Sequence, residues 1–475
     1  MNKRLFDREN IDLTDHAHAR VEPGSFRDPA GFVFRRSGRI GRQINAAYAE
    51  DYRALMDSGL YRRLTSAGRL IAHEESDEPP PVPETAYKVI LPEPLQFVSY
   101  PYEWCFSQLK AAALLTLEIQ REALAHGMTL KDAPATNVQF HAGRPVHVDT
   151  LSFVRYRQGE PWMAYRQFCE HFLAPLALRC LKDARLGGLQ ANFPSGIALE
   201  LASRLLPAWT WLRPGLAMHI HLHARFQRRF ADSGPRTEPV RLGSNGLLAL
   251  VDSLQSTVHN LDWKIDRSVW TDYARPGAHD ARYAADKERA LRQCLERCAP
   301  RTVCDLGANT GTYSRIAGAN AELVLSIDAD PAVVELNFLE CRHGGHASVL
   351  PLVVDMANPS PGSGWENTER ESFLSRAKVD ATLALALIHH LAIGNNLSLP
   401  RVAAALRDRC RDLIVEFVPE SDPLARRLIA ARRGATHAYS TRHFEDAFEH
   451  RFERLDAIPL AATGRVLYHY RGRPA

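Results

Sequence analysis

Short apolar runs alternate with amphipathic segments through the second half of the chain. Five of these runs are predicted to be strands, at residues 302–306, 323–327, 350–354, 380–388 and 413–417. The segments between them are long enough for helices, and strands that alternate with helices build a parallel sheet covered on both faces. Residues 263–475 are therefore predicted to form an α/β domain.

The first half of the chain shows a different pattern. A hairpin is predicted around Ser37-Gly38-Arg39, and further strands are predicted at 69–72, 87–91, 95–100 and 145–149. Helical periodicity covers 46–67 and 103–126, while the proline run at 78–84 predicts a stiff, extended loop. Residues 1–262 are therefore predicted to form a separate α+β domain.

Composition describes an ordinary globular protein and excludes several classes. The 475 residues are 45% hydrophobic and carry a formal net charge of +4. This net charge is small for the length and does not indicate a basic surface for binding nucleic acid. The N-terminus lacks an apolar signal segment, and no apolar run approaches the length of a membrane span, so a cytoplasmic protein without a membrane partner is expected. The eight cysteines include no C-x-x-C pair and are expected to be reduced. Nothing in the sequence fixes the oligomeric state.

A glycine-rich turn follows the first strand of the second half. It runs Asp305-Leu-Gly307-Ala-Asn309-Thr-Gly311, and the next strand ends at Asp328. Glycine lets the backbone turn sharply and approach a ligand closely, and the following helix would point its N-terminal amides at the bound group. A carboxylate at the end of the second strand can accept hydrogen bonds from both hydroxyls of a ribose.

These residues resemble the first motif of the class I S-adenosylmethionine (SAM)-dependent methyltransferases, D-x-G-x-x-x-G. The resemblance implies a Rossmann-like sheet, SAM as cofactor, and a cradle made by Asp305, Gly307, Asn309 and Gly311. It also implies that Asp355, after the third strand, lies against the adenine amino group. Asp305 either fixes the turn or contacts the methionine moiety, and the alternative for Asp355 is a helix cap. The turn departs from the G-x-G-x-x-G pattern of nicotinamide cofactors.

A narrower resemblance rests on two segments. Residues 358–365, Asn-Pro-Ser-Pro-Gly-Ser-Gly-Trp, and 385–391, Leu-Ala-Leu-Ile-His-His-Leu, are similar to a bacterial methyltransferase group related to the nodulation protein NoeA. This resemblance implies a methyltransferase and names no acceptor.

His389 and His390 are the candidate catalytic residues. They are predicted to end the fourth strand, where open α/β sheets place their reacting groups. SAM already carries a good leaving group, so the protein must align the acceptor and remove its proton, which suits a histidine. Neighbouring strand residues face opposite sides, so only one is expected to reach the pocket, with His389 favoured because it comes first. The alternative is that one packs beneath the strand and the other caps a helix.

A second resemblance lies within residues 30–230. Asp132 precedes Asn137 by five positions and Asp149 follows Asn137 by twelve, as in the catalytic core of the protein-kinase-like superfamily. The His-Arg and Phe-Gly that flank these positions in kinases are absent, and Lys88 is only a candidate for the strand lysine. Three alternatives stand: a kinase-like platform that no longer transfers phosphate, an active kinase, or an unrelated α+β domain.

The three histidines at 219, 221 and 223 would share one face of a strand and are candidate metal ligands in that case. On a helix, this spacing does not converge on one ion, so no metal is predicted. The sequence thus predicts a SAM-dependent methyltransferase acting on oxygen or nitrogen of a small-molecule acceptor. A bifunctional kinase and methyltransferase, or a SAM-binding regulatory protein without turnover, are the alternatives.

Overall fold

The computed structural model describes residues 19–226, 243–265, 281–432, 437–461 and 463–474. Its second half contains a seven-stranded sheet, whose strands are β10 (Thr302–Leu306), β11 (Leu323–Asp328), β12 (Val349–Val353), β13 (Val379–Leu385), β14 (Cys410–Phe417), β15 (Phe452–Pro459) and β16 (Val466–Gly472). Their order across the sheet is β12-β11-β10-β13-β14-β16-β15. The first five strands are parallel, and β16 runs antiparallel to both β14 and β15.

The helices of this half lie before and between the strands. They are Ala281–Cys298, Thr312–Ala317, Pro331–Gly344, Phe373–Arg376, Leu399–Arg407, Pro423–Ala431 and Thr441–Glu449. The predicted α/β architecture is therefore confirmed. The strand order reverses direction between β10 and β13, and in such sheets ligands bind at the carboxyl edge beside this switch point.

The first half contains a five-stranded antiparallel sheet and two short two-stranded antiparallel sheets. Its strands are β1 (Arg20–Val21), β2 (Gly31–Arg36), β3 (Arg39–Asn45), β4 (His73–Ser76), β5 (Ala86–Pro92), β6 (Met128–Leu130), β7 (Val138–His141), β8 (Arg144–His147) and β9 (Phe153–Arg155). The larger sheet has the order β1-β2-β3-β5-β4, and β6 pairs with β9 and β7 with β8. This half is mixed α and β, as predicted.

The helices of this half pack beside these strands. They are Ala49–Asp57, Leu60–Ser66, Phe106–Ala125, Tyr165–Phe168, Ala174–Leu181, Leu189–Asn192, Leu199–Leu205, Pro214–Leu216 and Ser244–His259, with π turns at Cys169–Leu173 and Ala217–Leu222. The predicted helix at 46–67 is divided, because Gly59 takes a φ of 77° between two helices.

Two predicted strands are wrong. Residues 95–100 form no strand, because the backbone of Ser99 pairs with the side-chain amide of Gln139 instead of with a neighbouring strand, at 2.9 and 3.0 Å. Residues 69–72 make only a bridge from Leu70 to His147, and the strand begins at His73. In both segments the sequence pattern predicts an extended backbone. Whether that backbone pairs with another strand depends on residues distant in sequence.

The two halves share one continuous apolar core. Buried residues from the helix Phe106–Ala125 and from the seven-stranded sheet belong to the same cluster. Buried polar contacts also cross between the halves: Arg376 forms an ion pair with Glu103, and the Ser107 amide donates to the Glu335 carboxylate over 2.9 Å. The boundary at residues 262/263 remains a prediction, because the halves are joined by core packing as well as by the chain.

Candidate cofactor and acceptor site

The turn after β10 uses left-handed backbone at three positions. Gly307, Asn309 and Gly311 have φ values of 69°, 52° and 76°. A Cβ on Gly311 would lie 2.0 Å from Oδ1 of Asn337, so only glycine fits there. The Ala308 amide donates to the Ile327 carbonyl over 2.9 Å, which fastens the turn to the end of β11. The glycines therefore permit the left-handed conformation of this turn, and the hydrogen bond to β11 holds the turn in place.

Asp328 ends β11 beside this turn. Its carboxylate accepts the Asn309 amide through Oδ2 and the Asp330 amide through Oδ1, both at 3.0 Å. Burial raises the pKa of Asp328, while these amide hydrogen bonds oppose the rise. Each carboxylate oxygen keeps a lone pair that can accept a further hydrogen bond, and the side chain lines a cavity at the carboxyl edge of the sheet.

Asp305 lies beneath the turn and is 2% exposed. Its carboxylate accepts the Ser314 hydroxyl over 2.6 Å, and Ser314 is also within 2.6 Å of the Ser326 hydroxyl. Burial raises the pKa of Asp305 to about 6, against the opposing effects of the Ser314 hydrogen bond and of Lys287. Asp305 thus both braces the first turn of the following helix and forms part of the cavity wall.

A cavity of about 500 Å³ opens at the carboxyl edge of the sheet. This volume suits a nucleoside-sized ligand. Six of the residues predicted from the sequence line it, namely Asp305, Gly307, Asn309, Asp328, Asp355 and His390. Gly311 and His389 do not line it: Gly311 caps the helix Thr312–Ala317, and His389 lies behind His390. Asp355 is exposed at one end, where its Oδ1 accepts the Ala357 amide over 2.8 Å.

The placement of the two histidines on the fourth strand is wrong. The strand β13 ends at Leu385, because Ala386 takes a φ of 53°, and both histidines lie in the helical turn that follows. His390 faces the cavity, so the preference for His389 is also wrong as a matter of position. The two rings lie 4.1 Å apart between centroids.

The environments of these histidines differ. His389 is 1% exposed, and neither of its ring nitrogens has a hydrogen-bond partner among the described residues. Burial, His390 and Arg465 lower the pKa of His389 to about 3, and burial also lowers the pKa of His390. Both imidazoles are therefore neutral at pH 7, and the neutral form is the one that accepts a proton.

A group of buried charges lies beside the cavity, and no sequence motif predicts it. Lys287 and Tyr283 line the cavity from the helix Ala281–Cys298, which precedes β10. Glu416, fully buried, forms an ion pair with Lys287 at 2.7 Å and accepts hydrogen bonds from Tyr283 at 2.5 Å and from Arg465 at 3.1 Å. Burial disfavours the charged carboxylate, but Lys287 and Arg465 outweigh it and hold the pKa of Glu416 below its usual range. The group therefore stays ionised and rigid.

The Lys287 ammonium also lies 4.3 Å from the ring centroid of Tyr313, another residue of the cavity wall. Amphipathic spacing predicts that this helix buries one face. It does not show that the buried face reaches the ligand edge of a sheet formed by later residues. Tyr283 and Lys287 were missed for that reason, and Tyr313, on the helix Thr312–Ala317, was missed with them.

The structure brings the three kinase-like residues together in the first half. Asn137 Nδ2 donates to Asp132 at 3.2 Å, to Asp149 at 3.3 Å and to Ser152 at 2.9 Å. Arg42, on β3, forms an ion pair of 2.5 Å with Asp149. Burial and the neighbouring Asp149 raise the pKa of Asp132 to about 6, whereas Arg42 and His147 lower the pKa of Asp149 against the effect of burial.

The histidines at 219 and 221 are held by hydroxyl groups. His219 contacts Tyr165 at 2.8 Å and Ser253 at 2.9 Å, and His221 contacts Ser203 at 2.7 Å and Thr210 at 2.8 Å. Both ring nitrogens of each histidine are occupied. In the part of the chain that the structure describes, no group of His, Cys, Asp and Glu is arranged to hold a metal ion, and no helix has the length and apolarity of a membrane span.

The doubly wound sheet, the glycine turn and the carboxylate that ends the next strand define the second half as a class I SAM-dependent methyltransferase fold. A comparison with known proteins covers nearly the whole chain. The chain is 35% identical over 463 residues to the nodulation protein NoeA of Rhizobium meliloti (strain 1021), covering 94% of this chain and 95% of that protein. The chain belongs to the NoeA family. No protein-family model matches it.

Solved structures match part of the chain at low identity. The N-methyltransferase NodS from Bradyrhizobium japonicum WM9, in complex with S-adenosyl-L-homocysteine, is 10% identical, with a TM-score of 0.33 over 43% of this chain and 96% of that one. The bifunctional kinase-methyltransferase WbdD is 14% identical, with a TM-score of 0.30 over 44% of this chain and 43% of that one.

Proposed function

We propose that the protein is a SAM-dependent methyltransferase that modifies an oxygen or nitrogen of a small polar acceptor. The observation that carries this proposal is the single cavity of about 500 Å³ that holds Asp328 and the glycine turn on one side and His390 on the other. The proposed nucleoside-binding carboxylate and a neutral imidazole thus face one open cavity. Methyl transfer to a protonated acceptor needs the cofactor and a proton-accepting group in the same site.

The residues fit the cofactor. Left-handed backbone at Gly307 and Asn309 leaves room for close approach of a ligand, and Asp328 has lone pairs for ribose hydroxyls. Asp305, which is ionised above a pH of about 6, is the partner expected for the amino group of the methionine moiety. When bound, SAM supplies a methyl group on a sulfonium leaving group. The protein has to align the acceptor and accept its proton.

His390 is the proposed proton acceptor. It lines the cavity in its neutral form, because burial lowers its pKa. It lies in the helical turn after β13, and β13 is three strands from β12, which leads to Asp355. Asn395, also on the cavity wall, is proposed to orient the acceptor through its amide. The buried ion pair of Lys287 and Glu416 gives this wall a fixed charge distribution that does not change when a proton moves to His390.

The test is methyl transfer from labelled SAM to small molecules of a cell extract, with mass spectrometry of the labelled product. Transfer to a low-molecular-weight product that requires His390 would support the proposal. Tight SAM binding without transfer to any extract fraction would instead favour the regulatory alternative. Label on protein or nucleic acid alone would refute the small-molecule acceptor.

For the first half, we propose a kinase-like platform that does not transfer phosphate. The supporting observation is the ion pair between Arg42 and Asp149, since Asp149 stands where the kinase pattern has its metal-binding carboxylate. An arginine at 2.5 Å neutralises this carboxylate and competes with Mg²⁺ for its oxygens. Lys88 does not reach Asp149 in this arrangement but pairs with Glu75 on β4.

Calorimetry of the full chain with ATP, in the presence and absence of Mg²⁺, tests this second proposal. No Mg²⁺-dependent binding is expected for the wild type. Metal-dependent ATP binding that is lost in Asp149→Asn would favour the bifunctional alternative.

A further inference from the structure

A second cavity lies between the two halves of the chain. It has a volume of about 190 Å³ and meets the cofactor cavity at Ala329 and Asp355, which line both. Its remaining walls come mainly from the first half and include the aromatic rings of Tyr102, Trp104 and Phe106, together with Trp263. The cavity is therefore an extension of the cofactor site into the interface.

The order of the strands fixes which end of the cofactor meets this extension. Along the sheet edge, Asp355 follows β12, Asp328 ends β11, Asp305 lies in β10 and His390 follows β13. Neighbouring strands lie about 5 Å apart, so these groups form a row. With the ribose at Asp328 and the methyl group directed toward His390, the adenine extends toward Asp355. The amino edge of the adenine then faces the second cavity.

Aromatic rings form much of the wall of this cavity, and Arg179, Arg185 and Asp355 also line it. Trp104 is 1% exposed, and the Arg179 guanidinium behind it donates to the Trp104 carbonyl at 2.8 Å and to the Pro101 carbonyl at 3.2 Å. Phe106 and Trp263 lie 6.2 Å apart between ring centroids. Aromatic rings in this arrangement favour a flat apolar group through edge and face contacts.

We propose that this cavity is a subsite for a planar, apolar substituent on the 6-amino nitrogen of the cofactor adenine. The ligand class is N6-substituted adenosyl compounds, with the substituent held by residues of the first half. The subsite rests on the proposed function, because it requires the adenosyl group in the cavity beside Asp328. It assigns the first half a direct part in cofactor selection.

Calorimetry with S-adenosylhomocysteine and with its N6-benzyl derivative tests this subsite in the full chain. The two compounds should bind with dissociation constants within about fivefold of each other, since the ring enters existing space instead of displacing packed atoms. Failure of S-adenosylhomocysteine itself to bind would overturn the proposed function. Normal binding of S-adenosylhomocysteine with a loss on the order of 100-fold for the benzyl derivative would overturn the subsite alone.

Gly188 provides a matched pair of variants. It lines the second cavity but not the first, its φ is −59°, and a Cβ built on it meets no atom within 4 Å. Gly188 is exposed at the mouth of the cavity, so Gly188→Phe should obstruct entry of the benzyl group and weaken the benzyl derivative by at least about tenfold, while Gly188→Ala leaves both ligands unchanged. S-adenosylhomocysteine should bind both variants as it binds the wild type. If Gly188→Phe binds the benzyl derivative as tightly as the wild type does, the benzyl ring of the ligand does not occupy the second cavity.

Discussion

Asp328 offers the sharpest test of the cofactor site, because its carboxylate has two separable tasks. It accepts the Asn309 and Asp330 amides, each at 3.0 Å, and it is proposed to accept the two ribose hydroxyls. A hydrogen bond to a charged group contributes about 1.5–3 kcal/mol. In Asp328→Ala, water can replace part of the hydrogen bonding that the ribose hydroxyls lose. We therefore expect the variant to bind S-adenosylhomocysteine more weakly by about 2–3 kcal/mol, on the order of 30- to 100-fold.

Affinity loss alone does not separate a ribose contact from a distorted turn. The assay is therefore calorimetry of wild type and Asp328→Ala with S-adenosylhomocysteine and with its 2′-deoxy derivative. If the carboxylate binds the ribose, the wild type discriminates between the ligands by roughly tenfold and the variant does not, giving a coupling energy of about 1 kcal/mol or more. Undiminished discrimination in the variant would refute the ribose contact, whatever the absolute affinities.

Three further predictions concern the turn, the proton acceptor and the buried carboxylate. Gly311→Ala should lower the melting temperature by several degrees, whereas Gly345→Ala, with a φ of 68° and open space around its Cβ, should show only the smaller backbone cost; equal losses would contradict the close packing at Gly311. His390→Ala should slow single-turnover methyl transfer by about 10²- to 10⁴-fold with unchanged cofactor affinity, while His389→Ala keeps the larger part of the rate; the reverse order would move the base to His389. Because burial raises the folded-state pKa of Asp305 to about 6, its stabilising contribution is full below a pH of about 4 and is lost as the pH rises through about 6, a change of at most about 3 kcal/mol. Urea unfolding from pH 4 to 8 should show this slope in the wild type and not in Asp305→Asn.

The cofactor half was predictable because its signals are local. A strand, a glycine turn and a terminal carboxylate lie within the 27 residues from 302 to 328, and the left-handed backbone at 307 and 311 favours glycine. Alternation of apolar runs then predicts the parallel sheet, and the sheet gathers the turn and Asp328 at one edge. These inferences needed no contact between distant segments.

The remaining features depended on distant contacts. Lys287 and Tyr283 reach the cavity only because their helix packs beside β14 and Glu416, more than 100 residues later in the chain. The position of His390 depends on the left-handed backbone at Ala386, a conformation that no sequence rule assigns to alanine. The failed strand at 95–100 has the same origin, because the Gln139 side chain satisfies its backbone.

The contacts between the halves explain why the methyltransferase fold does not stand apart from the rest of the chain. Glu103 and Arg376, 1% and 5% exposed, come from opposite halves, and Ser360 also donates to Glu103 over 2.8 Å. Removing one member of a buried ion pair costs about 3–5 kcal/mol, because the other charge is left without compensation. Arg376 lies on the helix just before β13, and β13 leads to His390. Displacement of the first half would thus leave a buried charge unpaired next to the strand that positions the proposed proton acceptor, so the two halves are expected to act as one unit in catalysis.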